Sequence, residues 1–91
     1  MKICIKNLRY GYGYGWSFTI IIEEEYKHGV KVTLKADYVK NYLMEHEIRV
    51  SSDCLTVDEA KEVKALANEM LDRANQIAKE LACKLEHQRG K

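Results

Sequence analysis

Residues 16–37, WSFTIIIEEEYKHGVKVTLKAD, hold two alternating runs separated by a break that contains a glycine. Trp16, Phe18, Ile20 and Ile22 recur at period two, so they share one side of an extended chain and leave Ser17, Thr19, Glu23 and Glu25 on the other. After Lys27-His28-Gly29 the alternation resumes. Val30, Val32, Leu34 and Ala36 form an apolar side, and Lys31, Thr33, Lys35 and Asp37 a polar one. Pairing Tyr26 with Val30 closes a hairpin across the glycine loop and sets Glu25 opposite Lys31, a favourable cross-strand pair. Ile21 interrupts the polar side, which places its strand in the middle of a sheet or against another copy of the chain.

Flanking this hairpin, Lys2–Arg9 has strand character, with Ile3 and Ile5 on one side and Lys2, Cys4 and Lys6 on the other. Residues 37–46 carry Tyr38, Val39, Tyr42, Leu43 and Met44 without a clear period and fit either a helical turn or an irregular strand. Ile48 and Val50, with Arg49 between them, make Glu47–Ser51 a fourth strand. No proline occurs in the chain to break any of these elements.

The C-terminal third has a different period. Thr56-Val57-Asp58-Glu59 is a capping box, with Thr56 as N-cap and Glu59 reaching back to it. Ala60, Val63, Ala67, Met70, Ala74, Ile77, Leu81 and Leu85 then recur at helical spacing, widened by Leu66, Leu71 and Ala78. Glu69 with Arg73 and Glu80 with Lys84 add i, i+4 pairs outside. Gly90 is the expected terminator.

The spacing therefore predicts an α+β fold, β-β-β-β-α. In it a four-stranded antiparallel meander (about 2–9, 16–27, 30–37 and 47–51) is followed by one long amphipathic helix (about 57–87) packed on the sheet, all in a single domain, 1–91. The Thr56–Ala60 segment, coming after a strand meander, resembles antitoxin and double-stranded-RNA-binding layouts, but only in a capping box that any such helix uses, and it implies no family. A helix of about 30 residues is about 45 Å long, whereas eight-residue strands span roughly 27 Å. The apolar stripe should thus overhang the sheet at Ile77, Leu81 and Leu85 and be covered by a second copy, making the protein a homo-oligomer of two or more chains.

Charge and composition narrow the function. Fifteen basic against fourteen acidic residues leave a net charge of +1, which argues against a general polyanion binder. The first 22 residues nevertheless contain Lys2, Lys6 and Arg9 and no acid. Cys4, Cys54 and Cys83 are odd in number and widely spaced, which suits neither a disulfide framework nor a zinc motif; they are expected to be reduced and largely buried. His28, His46 and His87 are equally scattered, so no metal or other cofactor is expected. Alternation sends Glu23 and Glu25 to one side and Glu24 to the other, making them solvated partners of Lys31 and Lys35 rather than a catalytic cluster. The N-terminal alternation of Lys and Ile predicts no secretory leader. Ile20-Ile21-Ile22, the longest apolar run, is far short of the roughly 20 residues of a membrane span. A cytoplasmic protein (in a host cell, cytoplasmic there too) without membrane association is expected.

One segment exceeds what folding needs. Residues 9–16 read Arg-Tyr-Gly-Tyr-Gly-Tyr-Gly-Trp and hold three of the five glycines and four of the eight aromatic residues. Gly-x-Gly-x-Gly here is no dinucleotide fingerprint, because a strand and not a helix follows. No nucleophile elbow or Walker lysine accompanies it, and the protein is expected not to be an enzyme. Two arrangements fit. In the preferred one Arg9 faces Trp16 and Tyr10–Gly15 is a six-residue hairpin tip. In the other a strand runs unbroken from Leu8 to Ile22, which requires a bulge near Asn7.

Tyrosines on a tip are the residues of adaptable recognition loops. Lys6, Arg9, Tyr10, Tyr12, Tyr14 and Trp16 are therefore the candidate partner-binding residues, and a protein complex or a small nucleotide the candidate partner. By analogy of size and layout alone, this suits a phage or mobile-element inhibitor that blocks a host defence complex or sequesters a nucleotide signal. Two alternatives are a nucleic-acid-binding module, stacking bases on the rings with Lys2, Lys6 and Arg9 at phosphates, and a structural homo-oligomer with the tyrosines buried between subunits.

Overall fold

The computed structural model describes residues 1–40 and 42–89, with the side chains of Glu45 and of residues 87–89 left aside. Gly90, the expected helix terminator, lies outside the described residues. The fold is α+β. Strands β1 (Lys2–Gly11), β2 (Gly15–Glu25), β3 (Lys31–Val39) and β4 (Tyr42–Val50) form one antiparallel sheet in sequential order, and helix α1 (Val57–Arg89) packs across it.

The central hairpin has the expected register. Glu25 pairs with Lys31, the Tyr26 N–H donates to the Val30 carbonyl at 2.6 Å, and Lys27–Gly29 forms a single 3-10 turn between the strands. The Lys31 ammonium lies 3.8 Å from Glu23. Thr19 and Asp37 face each other across the strands, and the Thr19 hydroxyl donates to the carboxylate at 2.7 Å.

Within the ambiguous stretch 37–46, residues 37–39 and 42–46 are strand, and residue 41 lies outside the described residues. β3 continues to Val39, which pairs with Tyr42, and Lys40 turns the chain in a left-handed conformation (φ 53°). β4 thus starts at Tyr42 and not at Glu47. A bulge between the Ala36–His46 and Tyr38–Leu43 pairs explains why no period was visible. Leu43 and Ile48 both fall on the helix side although five positions separate them, an odd number that simple alternation forbids.

Phe18, Ile20 and Ile22 of β2 and Val32, Leu34, Ala36 and Tyr38 of β3 meet Val63, Met70, Ala74 and Ala78 of α1 in a closed core. The division of volume is physical: small alanines on the helix let its backbone approach the larger residues of the sheet. Ile77, Leu81 and Leu85 are half-buried and pack against this same core. The strands, at 9 to 11 residues, are longer than the eight used for the expected overhang. Glu62 lies beside Tyr26 and Lys27 at one end of β2, and Glu86 beside Gly15 at the other. Residues 62–86 of the helix therefore run the full length of β2, and most of the predicted overhang is taken up within the chain.

The cysteines also differ from expectation, because Cys4, Cys54 and Cys83 are all exposed. Cys4 lies on an edge strand, Cys54 in the connection to the helix, and Cys83 half a helical turn away from the side that carries Ala74.

The helix start is built as the capping box predicts. The Thr56 N–H donates to the Glu59 carboxylate at 2.9 Å, and the Glu59 N–H donates to the Thr56 hydroxyl at 3.1 Å. The Thr56 N–H bond to the carboxylate, and after it the Thr56 hydroxyl, hold the Glu59 carboxyl below its ordinary value of 4.5. Depression of a carboxyl stabilises the folded state above the ordinary value, and that contribution disappears as pH falls through the lowered folded value. Thr56→Ala should lower stability by about 1 kcal/mol at neutral pH. Between wild type and Glu59→Gln the difference in Tm should shrink as the solution is acidified below 4.5. A difference that stays constant with pH would show that the carboxylate is not engaged.

One turn further on, Glu62 accepts from the Tyr26 hydroxyl at 2.8 Å and from Lys27 at 3.2 Å. Both bonds lower its carboxyl, while burial and then the Glu62 bond push the Tyr26 hydroxyl up to about 12. The turn between β2 and β3 is thereby tied to the first turns of α1.

Candidate recognition site at the Tyr–Gly hairpin

The geometry of the β1–β2 hairpin combines parts of both arrangements read from the sequence. Lys6 pairs with Thr19, but Arg9 pairs with Ser17, so Asn7 and Leu8 together oppose Phe18. Asn7 takes the left-handed conformation (φ 55°) that this one-residue bulge requires and that asparagine tolerates better than most residues. The expected pairing of Arg9 with Trp16 is thus displaced by one position. Tyr10 pairs with Trp16 and Gly11 with Gly15. The six-residue tip shrinks to Tyr12-Gly13-Tyr14, closed by the Tyr14 N–H donating to the Gly11 carbonyl at 2.9 Å. Gly13 and Gly15 adopt φ of +86° and +79°, values that a side chain would strain.

The bulge sorts the candidate residues. Tyr10 and Trp16 face the helix side and meet edge to face, with ring centroids 5.4 Å apart. Beneath them Phe18 stacks on Tyr38 at 4.8 Å. Burial, and after it the Glu86 carboxylate, raises the pKa of the Tyr38 hydroxyl, which stays neutral in this stack. The Trp16 indole N–H is buried and has no hydrogen-bond partner among the described residues. Tyr12, at the apex, is 96% exposed, and Tyr14 is 59% exposed. The Lys40 ammonium, from the β3–β4 turn, sits 4.9 Å from the Tyr14 ring centroid. Sequence reading had no signal for Lys40, which reaches the tip only because the two hairpins lie side by side.

Lys6 and Arg9 pair with Thr19 and Ser17, on the side of the sheet away from the helix, and do not join the aromatic group. Arg9 instead lines an open cleft of about 410 Å³ with Asn7, Ser17, Thr19 and Asp37. The Asp37 carboxylate in its wall opposes a phosphate, so this cleft is poorly suited to a nucleotide. Among the described residues no group of three or more His, Cys, Asp and Glu could hold a metal ion, and no helix is long and apolar enough to cross a membrane.

The arrangement is thus a rigid aromatic base, Tyr10 with Trp16, carrying two exposed rings on a glycine-shaped turn. Comparison with known protein families, curated proteins and solved structures gives no match to this chain.

Proposed function

We propose that this is a non-enzymatic binding protein that inserts Tyr12 and Tyr14 into a pocket on a partner protein. The observation that carries the reading is Tyr12, almost fully exposed at the apex of a hairpin whose base is fixed by Tyr10 and Trp16. A large ring exposed on a short turn with one rotatable side chain loses little entropy on docking and presents both apolar area and a hydroxyl. An inhibitor that occludes a surface of a host defence complex is one instance of such a protein.

Base stacking is supported less well, because Lys2, Lys6 and Arg9 lie on the face opposite Tyr10 and Trp16 and, among the described residues, only Lys40 stands beside an exposed ring. Native mass spectrometry of the gently purified protein, followed by affinity capture over a range of salt, separates the readings. Capture of a protein that tolerates raised salt is the expected outcome. Loss of the complex in steep proportion to salt would transfer the function to nucleic acid. The same spectra report self-association through the half-buried helix flank of Ile77, Leu81 and Leu85. A tight oligomer that buries Tyr12 and Tyr14 would leave the protein a structural one.

A further inference from the structure

β1 is an edge of the sheet, and every residue from Lys2 to Tyr10 is exposed. The helix makes its main contacts with β2 and β3 and fewer with β4, leaving β1 at the margin. Ile3 and Ile5 pair with Ile22 and Ile20, whose side chains lie in the core beneath the helix. On the same side beyond the bulge stand Leu8 and Tyr10, and all four are 37 to 48% exposed. A bulge commonly spoils an edge for pairing. Here it does the reverse, because without it Leu8 and Tyr10 would turn to the opposite side and the apolar strip would end at Ile5.

The helix supplies a wall to this strip. Asn75 and Lys79 line a cleft with Tyr42 and Leu43 of β4. At 100° per residue, Leu66 and Ile77 then project toward the other flank, above β1. The outer face of β1 has the opposite character. Lys2, Lys6 and Arg9 alternate along it, and no acidic residue occurs in the first 22 positions.

We propose that β1 is a docking edge for an extended segment of a partner protein in which apolar and acidic residues alternate. Such a segment would extend the sheet by main-chain hydrogen bonds, place its apolar residues on the strip and set its carboxylates beside Lys2, Lys6 and Arg9. A second copy of this chain fits the edge less well. Antiparallel pairing of β1 with itself about Cys4 puts Lys2 of each copy opposite Lys6 of the other, and any two-fold register gathers six cations on one face. The lysines that guard the edge against itself therefore select for an acidic strand.

The probes are two synthetic peptides as long as β1 (10 residues), alternating valine with glutamate or valine with lysine, titrated against isotope-labelled protein. The glutamate peptide should bind at least about tenfold more tightly than the lysine peptide, with amide shifts concentrated over residues 2–11. Lys2→Glu/Lys6→Glu/Arg9→Glu should reverse the preference, and the milder Lys6→Glu, a safeguard against misfolding of the triple variant, should narrow it about threefold. Tyr12→Ala should bind the peptide as wild type does, so this edge and the hairpin tip stand or fall separately. Equal binding of the two peptides, shifts centred elsewhere, or self-association of the protein through β1 would overturn the proposal.

Discussion

Ile20→Ala should lower the unfolding free energy by about 3–4 kcal/mol, a large share of the roughly 5–14 kcal/mol available to a domain of this size. Ile20 is fully buried and stands between Ile5 of β1 and Ala36 of β3, in one of the two strands that the helix mainly contacts. Truncation opens a cavity under α1 that neither neighbour can fill, since Ala36 is already small and Ile5 lies at the margin. Urea denaturation should show the midpoint falling with little change in slope. The informative control is Ile5→Ala, one strand away on the same face. With Ile5 37% exposed, its truncation should cost less than half as much. Equal losses at the two positions would mean that β1 is covered as fully as β2.

The contrast between Ile20 and Ile5 also shows where sequence reasoning reached its limit. The β2–β3 hairpin was legible because the apolar residues Trp16, Phe18, Ile20 and Ile22, and then Val30, Val32, Leu34 and Ala36, recur at period two and a glycine turn fixes their register. The helix was legible because a capping box precedes a long apolar stripe. Two bulges hid the rest. At Asn7–Leu8 and opposite Asp37 one extra residue inverts the parity of everything beyond it, so the six-residue tip and the late start of β4 followed from counting by twos. Coverage was equally invisible. Alternation puts Ile3 and Ile5 on one side of β1, and only the lateral position of α1 over β2–β4 leaves them exposed. The six candidate binding residues separated for the same reason: the bulge keeps Tyr10 with Trp16 on one face and sends Arg9 to the other.

Tyr12→Ala should abolish partner capture while leaving the fold unchanged. A side chain that is 96% exposed has no packing to lose, and surface substitutions of this kind stay within about 0.5 kcal/mol. Insertion of the same ring into a partner's pocket is a hot-spot contact worth about 2 kcal/mol or more, which corresponds to at least a thirtyfold loss of affinity. Tyr10→Ala is the necessary contrast. Tyr10 holds Trp16 edge to face, so its removal should lower Tm as well as affinity, the signature of a residue that positions the tip. Tyr12→Phe separates the two chemistries of the apex, because it keeps the ring and removes only the hydroxyl. A Phe variant that binds like wild type assigns the contact to apolar area, whereas one that binds like alanine assigns it to a hydrogen bond from the phenol. Wild-type affinity in Tyr12→Ala would remove the hairpin tip from the binding surface and leave the β1 edge as the exposed feature with a defined chemistry.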